Sequence, residues 1–393
     1  MHDDTRADDD VAGIRNIIEH NNLKYYPVKK QFFFLIIFTL WYSASHGANG
    51  TLENTRFVEK QVEDPVRVFA RGEQGYELFR IPALVKTTDG TLLLFAEARK
   101  LASAGDRGDI DLVLKRSADN GKTWSEMITI WDEGVHTCGN PVPVVDQNTG
   151  IVHLLMMLNN RQVFTSRSSD NGLSWEQPHE ITSSVKPEGW GFYATGPVHG
   201  LQIKHGPHKG RLIIPTYANI PMDGVTKHHS FCLYSDDEGK TWIRGGLSPQ
   251  DNVGECTIVE LSDGRLMLNM RSKLPYRSVA YSDDGGSSWY GGWHDTTLID
   301  PPCQAALLDI VDGGEFRLLY SNPASNKREN ITIRISYDDG VTWPKSKSVY
   351  SGPSAYTDMV VLNDEFIGIV FESGVKSPHG HIFFNQVALS QLK

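Results

Sequence analysis

Three arginines and a handful of carboxylates carry the chemistry that this sequence could perform. Arg80 lies in Phe79-Arg80-Ile81-Pro82 at the start of a strand-like stretch, and Arg271 closes the run Leu266-Met267-Leu268-Asn269-Met270-Arg271. Arg328 stands in the polar loop Ser321-Asn322-Pro323-Ala324-Ser325-Asn326-Lys327-Arg328. A guanidinium is charged at any working pH and grips a carboxylate through two parallel N–H bonds. An arginine ending an otherwise buried strand needs such a partner. The segment from Arg99 to Asp111 carries three acids, Asp106, Asp109 and Asp111. Further along, Glu255 and Glu260 share one strand-like stretch, Tyr356 and Asp358 share another, and Glu372 interrupts Val370-Phe371-Glu372-Ser373. Carboxylates and a phenol of this kind can move protons and make covalent intermediates.

The elements that would hold these residues repeat. Ser117-Ala118-Asp119-Asn120-Gly121-Lys122-Thr123-Trp124 fits S-x-D-x-G-x-[ST]-W, and the same pattern starts again at Ser168, Ser235, Ser282 and Ser336. Asp can bond its own backbone two residues on, and Gly takes the positive φ of a tight turn. The Trp would enter the next strand and bury a large apolar face. Strand-like runs precede every copy, so each box reads as a hairpin turn on the outer rim, remote from a central site. The tryptophans Trp124, Trp175, Trp242, Trp289 and Trp343 are on average about 55 residues apart, close to the length of a four-stranded blade with its loops. The 338 residues from 56 onward hold about six such units. The expected fold is all-β, a six-bladed β-propeller over residues 51–393, with a first blade starting between Phe79 and Ala98 and no long amphipathic helix.

The chain has 393 residues and a net charge of −10, which disfavours nucleic-acid binding and makes an anionic ligand depend on a local cationic pocket. Four cysteines (Cys138, Cys232, Cys256 and Cys303) show no C-x-x-C spacing. Residues 1–30 are a polar, acidic leader. Lys29-Lys30, the apolar run 32–42 and the small residues after it make residues 31–50 a secretory signal or, because about 30 residues precede the run, an uncleaved anchor. Membrane association follows only in the second case. Asn49 and Asn330 head glycosylation sequons. The expected location is the secretory pathway, secreted or lysosomal; no oligomeric state can be read.

Phe79-Arg80-Ile81-Pro82 upstream of five such boxes resembles the exo-α-sialidases of the bacterial and animal lysosomal kind, over about residues 70–385. The resemblance implies a six-bladed propeller, a sialylated glycoconjugate as substrate, and no metal or cofactor. It implies that Arg80, Arg271 and Arg328 bind the sugar carboxylate, with Lys327 and Arg334 as neighbours that blur the third position. Asp106 would be the acid/base, with Asp109 and Asp111 as alternatives. Tyr356 would be the nucleophile and Glu255 its activating base, with Asp358 and Glu260 nearby. Arg99 resembles the arginine on the 4-hydroxyl side, or simply pairs with one of the acids beside it. Glu372 resembles the carboxylate that braces the first arginine. The loop Trp190-Gly191-Phe192-Tyr193 either lines the site or packs, and Met156-Met157 read as core. Other readings are a trans-sialidase, a sialoside-binding lectin without turnover, and a metal enzyme built on His228-His229 or on His379 and His381.

Overall fold

The computed structural model describes residues 64–392. The expected leader and signal, residues 1–50, and the sequon at Asn49 lie outside the described residues. Largely apolar runs, many of them buried on both faces, make consecutive antiparallel strands, and the strands group into blades in chain order. The first blade is Leu78–Lys86, Leu92–Arg99, Ile110–Ser117 and Ile128–Trp131. The second runs from Cys138–Val145 to His179–Glu180, the third from Tyr193–Thr195 to Ile243–Arg244, and the fourth from Val253–Glu260 to Tyr290–Ile299.

The remaining strands hydrogen-bond into one seven-stranded sheet, which is two blades sharing a strand. Lys345–Val361 pairs with Glu329–Ser336 through its first half and with Phe366–Ser373 through its second. It is thus the outer strand of the fifth blade and the inner strand of the sixth. The sixth blade is completed by the chain's first described strand, Val66–Phe69, which pairs with His381–Ala388. Early and late strands meeting in one blade hold the ring shut.

Six apolar clusters confirm the blade count, because each fills one interface between consecutive blades. Leu93, Phe95 and Leu114 of the first blade meet Val152 and Leu154 of the second. Phe79 and Leu94 of the first meet Val370 and Phe384 of the sixth, which closes the circle. The other four clusters lie between blades two and three, three and four, four and five, and five and six. A seventh, small cluster of Ile81, Cys303, Ala355 and Tyr356 sits where inner strands converge. The one α-helix among the described residues is the four-residue Thr182–Val185.

Every box lies between the third and fourth strands of its blade and forms the same bonds. In the first, the Ser117 hydroxyl donates to Asp119 at 2.8 Å, and the Thr123 amide and hydroxyl donate to the two Asp119 oxygens at 2.9 and 2.6 Å. The remaining four boxes repeat this within a tenth of an ångström. The Trp precedes the fourth strand rather than lying within it. The box glycines need more than positive φ. A Cβ on Gly121 would lie 2.0 Å from Phe384, and one on Gly239 would lie 2.3 Å from His153. Both neighbours belong to the preceding blade, so each box seats itself on the adjacent sheet. Since the strands alternate in direction, third strands that end in boxes begin at the opposite face, beside the starts of the inner strands.

Candidate active site

Inner strands carry the site, and their register breaks aim it. Pairing to the second strand slips between Arg80 and Ala83 in the first blade, between Gly139 and Val142 in the second, between Val253 and Cys256 in the fourth, and between Ser354 and Thr357 in the sixth. A bulge leaves a residue unpaired and turns its side chain. Arg80, Asn140, Glu255 and Tyr356 lie within or at the edge of these breaks, the first three near the starts of their strands and Tyr356 near the start of the half of Lys345–Val361 that pairs with Phe366–Ser373. Ile81 adopts φ 58°, a costly conformation for a β-branched residue. Its amide is held there by Glu372 Oε1 at 2.8 Å.

Tyr356 is the centre. Its side chain is buried, and its hydroxyl donates a short hydrogen bond to Glu255 Oε1. Burial and the facing Glu255 carboxylate push the phenol well above its ordinary pKa, against the pull of Arg271 and Arg80. The phenol is therefore neutral at rest, with a base already on its proton. The other Glu255 oxygen takes Arg271 Nη1 at 2.6 Å, and that nitrogen also reaches Tyr356 Oη at 3.5 Å.

Two further guanidinium groups face the phenol ring, with Arg80 Cζ 4.9 Å and Arg328 Cζ 5.5 Å from its centroid. Arg80 Nε donates to the fully buried Glu372 at 3.0 Å. Burial alone would raise the Glu372 pKa, but Arg80 and His379 outweigh it and hold the carboxyl at about 2. Arg80 Nη2 is buried without any hydrogen-bond partner among the described residues. Arg328 donates only a neutral bond, to the Pro302 carbonyl at 3.2 Å, and has no ion pair among the described residues. Three cations with unspent donors around one phenol form a receptor for a carboxylate.

The family follows from this arrangement and from comparison with known proteins. Residues 66–370 match the BNR repeat-like domain family. The chain is 35% identical over 338 residues to a sialidase of Micromonospora viridifaciens, covering 77% of this chain and 51% of that protein. It is 30% identical over 361 residues to a sialidase of Bacteroides fragilis, covering 82% and 64%. This chain belongs to the sialidase family. It spans about half to two thirds of the length of these two relatives. A solved structure described as the Hadza microbial sialidase Hz136 superposes with a TM-score of 0.76 at 29% identity, covering 84% of this chain and 69% of that one.

The residues that competed in the sequence have different surroundings. Asp109 and Asp111 are held by Lys100 at 2.8 and 3.4 Å, and Asp111 also accepts from the Tyr76 hydroxyl at 2.5 Å. Asp106 instead stands exposed at the pocket mouth, bonded to Arg99 Nη2 at 2.9 Å. Asp358 ties blades together, accepting from the Leu84 amide and from His199. Glu260 accepts the amides of Lys204 and His205. Arg334 bonds Asn322, away from the phenol. Arg99 is buried and its donors are largely taken by Glu97, Asp106 and the Gly105 carbonyl, so it holds the loop that carries Asp106. Of the aromatic loop, Phe192 lines the pocket, while Tyr193 is fully buried and Trp190 packs against the core. Met156 and Met157 are core. The Asn330 side chain is engaged by Ser348 at 2.7 Å.

Sequence reasoning missed four pocket residues. Glu97 is buried and accepts both Arg99 and the Asn140 amide, the latter at 2.9 Å. Asn140 donates to Asn160 at 2.7 Å, and Tyr217 faces Phe192 across the pocket. A signal existed: Gly139-Asn140-Pro141 repeats the position of Arg80-Ile81-Pro82, with a positive φ just before the proline in both.

Proposed function

We propose that the chain is a retaining exo-α-sialidase that hydrolyses terminal α-linked sialic acids from glycoproteins, glycolipids and oligosaccharides through a tyrosyl intermediate. The observation that carries this reading is the buried Tyr356–Glu255 pair ringed by Arg80, Arg271 and Arg328. Sialic acid bears a carboxylate on its anomeric carbon. A carboxylate nucleophile would meet that charge at close range, whereas a neutral phenol does not; sialidases with a Tyr nucleophile are a known exception to the two-carboxylate rule.

The geometry supports the following steps. The three guanidinium groups hold the substrate carboxylate over the phenol ring. Tyr356 Oη attacks the anomeric carbon while its proton passes to Glu255 Oε1. Asp106 gives a proton to the departing glycosidic oxygen, which leaves as an alcohol. In the second half, Asp106 takes a proton from water as that water attacks the same carbon, and the phenolate recovers its proton from Glu255. Two displacements at one carbon retain configuration.

Proton NMR of the first-formed sialic acid from a sialyllactose tests this directly. The α-anomer is expected before mutarotation. Initial β-anomer excludes the two-step route, and a new sialoside formed with excess galactoside would mark a trans-sialidase. Absence of release from any linkage would leave a lectin.

The N-terminal segment is further proposed to direct the chain into the secretory pathway. This is supported by the basic flank and apolar run within residues 31–50. A mature terminus near Ala48 by mass spectrometry is the expected result; an intact terminus in a membrane pellet would mark an anchor.

A further inference from the structure

The two histidines near the end of the chain bond in different places. His381 Nδ1 accepts from the Arg71 amide at 3.1 Å, whereas His379 Nδ1 meets Glu372 Oε2 at 3.1 Å. His379 lies in the turn between Phe366–Ser373 and His381–Ala388. The turn folds tightly back on itself: a Cβ on Gly374 would lie 2.8 Å from the carbonyl oxygens of Ser377 and His379, and the His379 amide donates to the Ser377 hydroxyl at 3.2 Å. Val375 and Lys376 on the same turn are exposed, but the His379 side chain is only 26% exposed.

Glu372 has two differently occupied oxygens. Oε1 accepts from Arg80 Nε at 3.0 Å and from the Ile81 amide at 2.8 Å. Oε2 accepts from His379 and, at 3.5 Å, from the amide of Tyr356. Burial opposes ionisation of this carboxyl, but Arg80 and His379 outweigh it, so the group is an anion with no proton to donate. The hydrogen between Glu372 and His379 therefore belongs to Nδ1, and the ring has Nε2 left to take a second proton. Once it does, an imidazolium and the Arg80 guanidinium share one carboxylate.

That proton changes the charge around the substrate carboxylate. Arg80, Arg271 and Arg328 face the phenol, and Glu372 and Glu255 match the first two. With a neutral His379 one positive charge is left over, on Arg328; with an imidazolium there are two. Other charged groups near the turn face elsewhere: Lys376 is exposed, and Arg67 and Arg71 act on His381. Beyond Glu372 lies only the neutral phenol of Tyr356. Histidine is the side chain whose ordinary titration falls between about pH 5 and 8.

We propose that His379 is a positioning residue that makes substrate binding depend on pH: a second proton on its ring draws the charge of Glu372 away from Arg80 and frees the guanidinium for the sugar carboxylate. His379 acts through Glu372 and lies outside the pocket lined by Asp106 and Tyr356. The inference deepens the hydrolase reading above and rests on its placement of the sugar carboxylate among the three arginines, not on the chemistry at Tyr356. Affinity is highest with the imidazolium and falls as pH rises through the imidazole range. One unit charge on the far side of a single carboxylate, in the effective dielectric of a half-buried site, should change affinity about tenfold.

The test compares wild type with His379→Asn, whose amide keeps a donor at the Nδ1 position without ever charging, and His379→Lys, a standing cation. The probes are a methyl α-thiosialoside, which resists cleavage, and its neutral methyl ester, bound in a calorimeter from about pH 5 to about pH 8. KM and kcat for an aryl sialoside are measured over the same range. Wild type should bind the thiosialoside about tenfold more weakly at the upper end, with KM rising in parallel. His379→Asn should be flat at the weak value and His379→Lys flat at the strong one, with kcat at each pH as in wild type. The ester should show no such slope in any of the three proteins. The same slope in His379→Asn as in wild type, or no slope in wild type, overturns the proposal. So does a loss in His379→Asn that is equal for acid and ester and at every pH, because that marks a purely structural residue. If the slopes are as expected but the aryl sialoside is not cleaved, the hydrolase reading falls and the role of His379 in binding stands. If it is cleaved and the slopes ignore His379, only this inference falls.

Discussion

Tyr356→Phe removes one oxygen from a ring that is only 5% exposed. The ring remains, and so do the guanidinium contacts at 4.9 and 5.5 Å. The lost oxygen donated to Glu255 and lay 3.5 Å from Arg271. A hydrogen bond to a charged group is worth about 1.5–3 kcal/mol. The stability loss should lie at the lower end, because Arg271 still pairs with Glu255 at 2.6 Å. The fold and sialoside binding should therefore survive. Turnover should not, since Glu255 has no phenol to deprotonate and can act only on water. Loss of that assisted step should cost about 10²–10⁴-fold in kcat, or roughly 3–5 kcal/mol of barrier. The assay is hydrolysis of an aryl sialoside, with the product anomer read by NMR and covalent labelling by 2,3-difluorosialic acid mapped by peptide mass. Wild type should carry the label on Tyr356 and the mutant should carry none. Any residual product should be inverted, since water can enter the vacated space. A mutant that retains configuration at the wild-type rate, or a label found on Glu255, would refute the assignment of Tyr356 as nucleophile.

Asp106→Asn should slow natural sialosides by about 10²–10⁴-fold while sparing aryl sialosides, whose phenolate leaves without a proton; equal losses on both would move the role to another acid. Arg271→Ala should weaken sialoside affinity about tenfold or more by removing one charge-assisted clamp, and wild-type kinetics would take Arg271 out of the site. Glu372→Gln should cost about 3–5 kcal/mol of stability, because it leaves the buried Arg80 charge unmatched and turns an amide N–H toward donors on either side. Thermal unfolding reads that loss, and an unchanged midpoint would deny Glu372 its bracing role. Acid should loosen the blades through the boxes. In Asp170 the Ser174 hydroxyl, against burial, holds the carboxyl at about 2, below its ordinary 3.8. A depressed carboxyl stabilises the fold above its unfolded pKa, and that contribution disappears as pH falls from about 4 to about 2. Asp170→Asn should flatten the fall of the unfolding midpoint across that window, and an unchanged slope would contradict the assignment.

Local chemistry made much of this protein legible in one dimension. The box is a self-contained turn: its Ser, Asp, Gly and Thr or Ser bond one another within eight residues. Five copies at blade spacing therefore reveal strand pairs, and the spacing divided into the chain length gives the blade number. Arg271 was legible for a similar reason, since an arginine ending an apolar strand announces that it needs a partner. The identity of that partner was not legible. Tyr356 and Glu255 are 101 residues apart, and Arg80 and Glu372 are 292 apart. They meet only because a closed ring of blades brings the starts of the inner strands to one axis. Nor could spacing separate Asp106 from Asp109 and Asp111. Closure of the first blade gives them different surroundings, with Lys100 and Tyr76 on the latter two and Asp106 at the pocket mouth. Glu97, Asn140 and Tyr217 escaped notice because each looks like an ordinary strand residue in the sequence. Burial around the axis is what turns them toward the pocket, and burial is a property of the assembled ring.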